Sequence, residues 1–228
     1  MRFPELAFLR LEHRARPCDH VDWALALLSE GCANPAVFEL ASFGLDSDPD
    51  AQAVERIFQA CVRELNLSLP TDQEWVSCLL AYGVDVCERL EDGLLSPTAA
   101  RDIFWNLFED GNEPHLLWIW ADLASDLFQR EHPPARGVVF NAGLADSSAD
   151  ELTLAIADQF VRLCRIALPD IFPRVWICLE CEAVDTEDTE VSQAVRACPG
   201  CGAGAALSNM RYMECRERFL SMGSERHV

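Results

Sequence analysis

The sequence predicts a mainly α-helical protein, in which a multi-helix bundle or array of six or seven helices is followed by a small cysteine-rich module with a short β-hairpin. Two observations support this fold class. Apolar residues recur at helical spacing, between capping and glycine signals, through residues 1–170 of the 228-residue chain. Residues 171–228 carry paired cysteines instead, and strands do not alternate with helices along the sequence. We therefore predict a helical domain over 1–170 and a separate module over 171–228.

The first predicted helices begin at capping signals. One runs from about Asp19 to Glu30, and the next begins after the cap Asn34 with a proline in its first turn. A third begins at Pro49, and Asp48 is its predicted cap. Its apolar positions repeat at i, i+3, i+4, i+7, i+8 and i+11, which is typical of an amphipathic helix. These positions are Val54, Ile57, Phe58, Cys61, Val62 and Leu65.

Four later helices are delimited in the same way. Two of them begin at a T-x-x-E or S-x-x-E capping box, in which the two side chains satisfy backbone N–H groups reciprocally. The predicted starts are Thr71 with Glu74, Ser96 with Pro97, Asn112, and Ser148 with Glu151. The last helix ends near Ala167, where prolines begin the entry to the cysteine-rich module.

The most specific motif is a pair of C-x2-C sequences in the second module. Sixteen residues separate the two pairs, which lies within the spacing of four-cysteine zinc sites. The predicted ligands are Cys178, Cys181, Cys198 and Cys201. The motif resembles a zinc ribbon, with Val175–Ile177 and Ala194–Arg196 as the strands that lead into the two turns. Because four thiolates leave no open coordination position, we predict a structural Zn²⁺ rather than a catalytic one.

The cysteine content also indicates a compartment. The N-terminal sequence lacks the continuous apolar region of a secretion signal, so eleven cysteines favour a reducing cytoplasm over a disulfide framework. We expect the seven cysteines outside the motif to act mostly as small buried hydrophobic residues. They are Cys18, Cys32, Cys61, Cys78, Cys87, Cys164 and Cys215.

The net charge restricts the classes of partner. The chain has 38 acidic residues and 18 basic ones, all of them Arg, for a formal net charge of −20. Such a charge opposes direct binding to nucleic-acid phosphates or to anionic lipid. No apolar run approaches the roughly 18 residues that a membrane-spanning helix needs. A basic protein is the partner that this charge favours.

Acidic residues also stand where they do not stabilise helices. Two predicted helices end in acid-acid-Gly, although carboxylates at a helix C-terminus oppose its dipole at a cost of roughly 0.3–1 kcal/mol each. A third acidic group lies between the two C-x2-C pairs. We predict that these residues contact the basic partner, although solubility alone would also explain them. They are Glu91, Asp92, Glu109, Asp110, Asp185, Glu187, Asp188 and Glu190.

A family resemblance covers about residues 37–165. It is carried by FELASFGLDSDPDAQAVERIFQACVREL, by PTDQEWVSCLLAYGVDVCERLEDGLLSPTAARDIFWNLFED and by WADLASDLF. In the second stretch, an acid-Gly-x-Leu-x-Pro turn precedes an A-A-R-x-I-F helix. The pattern resembles the immunity-type helical proteins of bacteria that are encoded beside secreted toxins. The resemblance implies a toxin-neutralising binding protein without catalytic residues, although the cysteine module departs from the simplest form of that family.

Three hypotheses for function follow from these features. The first is an acidic cytoplasmic immunity protein that neutralises a toxin, such as a nuclease, by masking its active site. The second is a zinc-ribbon adaptor or regulator that binds proteins in a larger assembly. The third, an enzyme, is disfavoured because nucleophile-elbow, zinc-protease, P-loop and dinucleotide-binding motifs are absent from the sequence.

Overall fold

A computed structural model describes residues 1–46, 49–110, 117–132, 140–141, 146–165, 174–178, 180–181, 184–185, 197–198, 200–202 and 207–211. Within these residues the chain is mainly helical, as predicted, with eight α-helices and a small three-stranded sheet. The helices are α1 (Phe3–Leu11), α2 (Pro17–Ser29), α3 (Pro35–Ser42), α4 (Ala51–Glu64), α5 (Trp75–Glu91), α6 (Pro97–Asp110), α7 (Trp118–Glu131) and α8 (Ala149–Arg165). None of these helices is long and apolar enough to cross a membrane.

The prediction of six or seven helices was too low because α1 was missed. This helix has nine residues, and its N-cap Arg2 makes no side-chain capping bond. The sequence therefore lacks the Ser, Thr, Asp or Asn signal that marked most of the predicted helix starts. Leu6, Ala7 and Phe8 are buried, so packing rather than capping determines the helix.

Most of the predicted caps are confirmed. Asn34 accepts hydrogen bonds from the N–H groups of Ala36 and Val37 at the start of α3. Both capping boxes form, with the box of Thr71 opening a 3₁₀ turn that leads into α5. The predicted cap of α4 was wrong by two residues: Asp50 accepts from the N–H of Gln52, and α4 begins at Ala51.

The chain divides into two compact units, Met1–Asp85 and Val86–Val228. In the first unit, α1 to α4 pack around an aromatic core. Trp23 and Phe58 are almost fully buried and meet edge to face, with ring centroids 5.4 Å apart. The predicted stripe of α4 faces this core, since Val54, Ile57 and Cys61 are buried in it. The predicted domain boundary at residue 170 lies outside the described residues and stays a prediction.

A charged network borders this core at His20. The guanidinium of Arg10 donates two hydrogen bonds to the Glu55 carboxylate, at 2.7 and 2.9 Å, and lies 4.5 Å above the Phe58 ring. A third contact joins Arg10 to the Nε2 of His20 at 2.6 Å, while the Nδ1 of His20 lies 2.9 Å from the Arg16 carbonyl. Because Arg can only donate and a carbonyl can only accept, His20 is neutral with its proton on Nδ1.

This network predicts a pH dependence of stability. Burial lowers the pKa of His20 below its ordinary value of 6.5, since burial disfavours the charged imidazole. The unfolded chain therefore takes up a proton at a higher pH than the folded chain does. The stabilising contribution of neutral His20 is complete above pH 6.5 and declines as the pH falls below 6.5 towards the lowered value.

Urea unfolding between about pH 7.5 and about pH 5.5 measures this effect. As the pH is lowered, the free energy of unfolding should fall less steeply in His20→Gln than in the wild-type chain. His132→Gln is the matched control because His132 is exposed, and it should retain the wild-type slope. Equal slopes in the His20 variant and the wild type would show that the imidazole is not held neutral.

In the second unit, α6, α7 and α8 pack around three aromatic rings. The rings of Phe104 and Trp120 are stacked, 3.8 Å apart and 8° from parallel. Phe160 of α8 meets Phe104 edge to face, with centroids 5.4 Å apart. A buried carboxylate fixes the chain beyond α7, because Asp126 accepts hydrogen bonds from the N–H groups of Phe140 and Asn141.

The sheet belongs to the cysteine-rich module. Its strands are β1 (Arg174–Cys178), β2 (Val184–Asp185) and β3 (Leu207–Arg211), in the order β2-β1-β3 with both pairings antiparallel. The predicted strand Val175–Ile177 lies within β1. The second predicted strand, Ala194–Arg196, lies outside the described residues, and β3 follows the second cysteine pair, where no strand was predicted.

Candidate metal centre

The four predicted ligands are placed by two short turns and the end of a strand. Cys178 is the last residue of β1, and Cys181 follows it in a turn. Cys198 precedes a second turn, which contains Cys201. β3 supports the first ligand through the backbone, since Cys178 is paired with Leu207 in the β1–β3 ladder. The sheet thus fixes one turn, while the C-x2-C spacing fixes the separation of the sulfurs within each pair.

The four sulfur atoms converge on one point. All lie within 4.8 Å of one another. Cys178 Sγ is 3.7 Å from Cys201 Sγ, and Cys181 Sγ is 3.5 Å from Cys198 Sγ, so each short distance joins one pair to the other. Four ligands at a Zn–S distance of about 2.3 Å from a tetrahedral ion would be about 3.8 Å apart. The cluster is therefore close enough to bind one metal ion.

Disulfide bonding does not explain these distances. None of the four cysteines is in a disulfide bond. Sulfurs that are 3.5 Å apart lie well beyond the roughly 2.05 Å length of a disulfide bond. Cys178 and Cys198 are buried, whereas Cys181 and Cys201 are exposed. Each turn therefore supplies one buried and one exposed ligand, which is the arrangement expected when two turns bind one ion from opposite sides.

The surroundings of Cys198 favour the thiolate form of its side chain. Backbone N–H groups of Cys201 and Gly200 point at its sulfur and lower the pKa of the thiol to about 7. The Gly200 N–H lies 3.3 Å from this sulfur. Gly202 follows with a φ of +74°, a conformation that favours glycine, so the backbone can leave the turn immediately after the last ligand. Because the thiolate is the metal-binding form, this environment favours a metal centre.

Three of the other described cysteines have the opposite environment. Cys61, Cys78 and Cys87 are buried, as predicted, whereas Cys18 is exposed. Burial raises the pKa of Cys61 and of Cys78 to about 11 and raises that of Cys87 further. These thiols remain protonated and serve as small hydrophobic groups. Cys215 lies outside the described residues.

The predicted partner-binding acids are only partly described. Glu91, the last residue of α5, is exposed, as are Asp92 beside it and Glu109 in the last turn of α6. Asp185 lies in β2. Asp110 ends α6, but its side chain is not described. The remaining three lie outside the described residues: Glu187, Asp188 and Glu190. Their role in partner binding stays a prediction.

Comparison with known proteins assigns no family. No protein-family description, curated protein or solved structure matches this chain. The resemblance to immunity-type proteins therefore stays a prediction.

Proposed function

We propose that this chain is an acidic toxin-neutralising protein whose cysteine module is held by one structural zinc ion. The observation that carries the metal assignment is the convergence of four thiols within 4.8 Å, two of them from each C-x2-C pair and none in a disulfide bond. The zinc would neutralise two of the four thiolate charges and supply folding free energy to a module that is too small to have a large core. It would have no open position for substrate.

The proposed partner is a basic protein, such as a nuclease toxin. The supporting observation is the excess of acid in a chain of net charge −20, including exposed Glu91 and Asp92 at the C-terminal end of α5. Carboxylates there are unfavourable for the helix, and contact with a cation of the partner would offset that cost. A nuclease binds phosphates through a basic groove, which an acidic surface can occupy and mask.

Charge removal at the helix ends tests the acidic surface. Glu91, Asp92, Glu109 and Asp110 are replaced together by Gln or Asn. We expect association with the proposed toxin partner to slow about tenfold and to depend less on salt, since electrostatic steering would be lost. Stopped-flow binding at several ionic strengths measures both quantities.

A second variant separates position from total charge. Replacing exposed Asp72, Asp102, Asp146 and Asp158 by Asn removes four charges that lie away from the C-terminal ends of helices. This control should retain most of the wild-type association rate. If both variants bind alike, the proposed acidic surface is wrong. If excess wild-type protein leaves the toxin fully active, the proposed function is wrong.

The four-cysteine cluster also favours a second candidate function, a zinc-ribbon adaptor that binds proteins through the cysteine module. Substituting a zinc ligand in the full chain distinguishes the two. An adaptor of this kind would lose partner binding with the metal, whereas a toxin inhibitor that binds through its helices would retain it.

A further inference from the structure

Three large apolar side chains are exposed in the first unit, on α2, on α3 and in the turn that follows α3. Leu45 is 91 % exposed, Phe38 is 55 % exposed and Leu25 is 47 % exposed. Single exposed apolar residues are ordinary on protein surfaces, but contiguous ones mark interaction sites. We call these three residues the α2/α3 apolar surface.

The packing of the turn places Leu45 near Leu25, and helical spacing relates Phe38 to Leu45. Leu45 ends the 3₁₀ turn Phe43–Leu45, which continues from α3 and packs on α2. The turn comes close because of Gly44: a Cβ there would lie 3.2 Å from Val21 Cγ1 and 3.8 Å from Leu25 Cδ1. Phe38 lies seven residues before Leu45, about two turns along α3 and the 3₁₀ turn that continues it, so the two positions point in similar directions.

Acidic side chains border this surface. Asp22 is exposed one turn before Leu25, Glu39 is exposed next to Phe38, and Asp46 follows Leu45. The sequence contains no Arg between Arg16 and Arg56, a stretch with eight acidic residues. Neither α2, α3 nor the turn therefore supplies a basic side chain to this apolar surface.

We propose that the α2/α3 apolar surface receives an amphipathic helix of the partner protein whose apolar residues are flanked by Arg or Lys. Leu25, Phe38 and Leu45 would contact the apolar residues, and the acidic border would pair with the flanking cations. A second copy of this chain is a poorer occupant because it would bring two acidic borders together. The inference rests on the proposed function for the existence of a basic partner, and it locates the binding site on a surface that includes none of the acids predicted from the sequence.

Two synthetic peptides test this surface with the full-length protein. Both have about 18 residues, form a helix and carry the same Arg residues; one has Leu along its apolar face and its twin has Ser there. We expect the Leu peptide to bind the wild-type chain about tenfold more tightly than its twin, measured by fluorescence anisotropy. Phe38→Ser/Leu45→Ser should abolish that difference.

Leu94→Ser/Leu154→Ser is the matched control, because Leu94 and Leu154 are exposed in the second unit. This variant should retain the tenfold preference. Equal binding of the two peptides to the wild type would overturn the proposal, as would an equal loss in both variants. The Leu45→Ser variant alone checks that altered folding does not cause the loss of peptide preference. Its side chain is almost wholly exposed, so its replacement should leave the fold unchanged. Sedimentation that shows a wild-type dimer, dissociated by Leu45→Ser, would instead assign the surface to a second copy.

The peptide and toxin experiments fail independently. If the toxin is neutralised equally well by Phe38→Ser/Leu45→Ser, the docking surface is wrong and the proposed function stands. If the Leu peptide binds as expected but the toxin is not neutralised, the surface stands and the toxin assignment is wrong.

Discussion

Replacing Cys198 with serine is expected to reduce bound zinc from about one ion per chain to nearly none. The substitution removes the sulfur whose pKa the Cys201 and Gly200 N–H groups lower to about 7, and serine is not a thiolate. Three remaining thiolates would bind the ion much more weakly. Metal analysis after dialysis against a chelator measures the loss, and faster hydrogen exchange over β1 and β3 should accompany it.

Cys18→Ser is the control for this substitution. Cys18 is an exposed free cysteine outside the cluster, so its replacement should leave the zinc content unchanged. Equal metal content in the Cys198 and Cys18 variants would mean that zinc is bound elsewhere or adventitiously.

Replacing Phe104 with alanine is expected to destabilise the second unit by about 3–5 kcal/mol. Phe104 is fully buried, stacks on Trp120 and meets Phe160 edge to face, so the substitution removes contacts with two other helices and leaves a cavity. Urea unfolding followed by tryptophan fluorescence measures the change in the free energy of unfolding.

Trp105→Ala provides a matched control on the same helix. Trp105 is adjacent in sequence but 43 % exposed, so its truncation should cost much less. A loss below about 1 kcal/mol in Phe104→Ala would contradict the packing of α6 against α7 and α8.

Features with local chemical causes were predictable from the sequence. The apolar stripe of α4, the capping boxes at Thr71 and Ser148 and the cap Asn34 all depend on residues within a few positions of one another. The C-x2-C motif behaves in the same way within each pair. The sequence could therefore identify all four candidate ligands, and the structure adds their convergence.

Features that depend on distant contacts were missed. α1 has no capping signal and is stabilised by burial, while the pairing of β3 with β1 joins residues about thirty positions apart. The cap of α4 was misplaced because the series Asp46, Asp48, Asp50 offers several equivalent carboxylates. The α2/α3 apolar surface was also missed. The exposure of Phe38 and Leu45 depends on how α3 and the turn that contains Gly44 pack on α2.

X-ray absorption at the zinc edge of the purified full-length protein shows directly whether four sulfurs hold one zinc ion. We expect about one zinc per chain with four sulfur neighbours at about 2.3 Å. Nitrogen or oxygen neighbours in place of sulfur, or less than about half an ion per chain when zinc is supplied during expression, would contradict it.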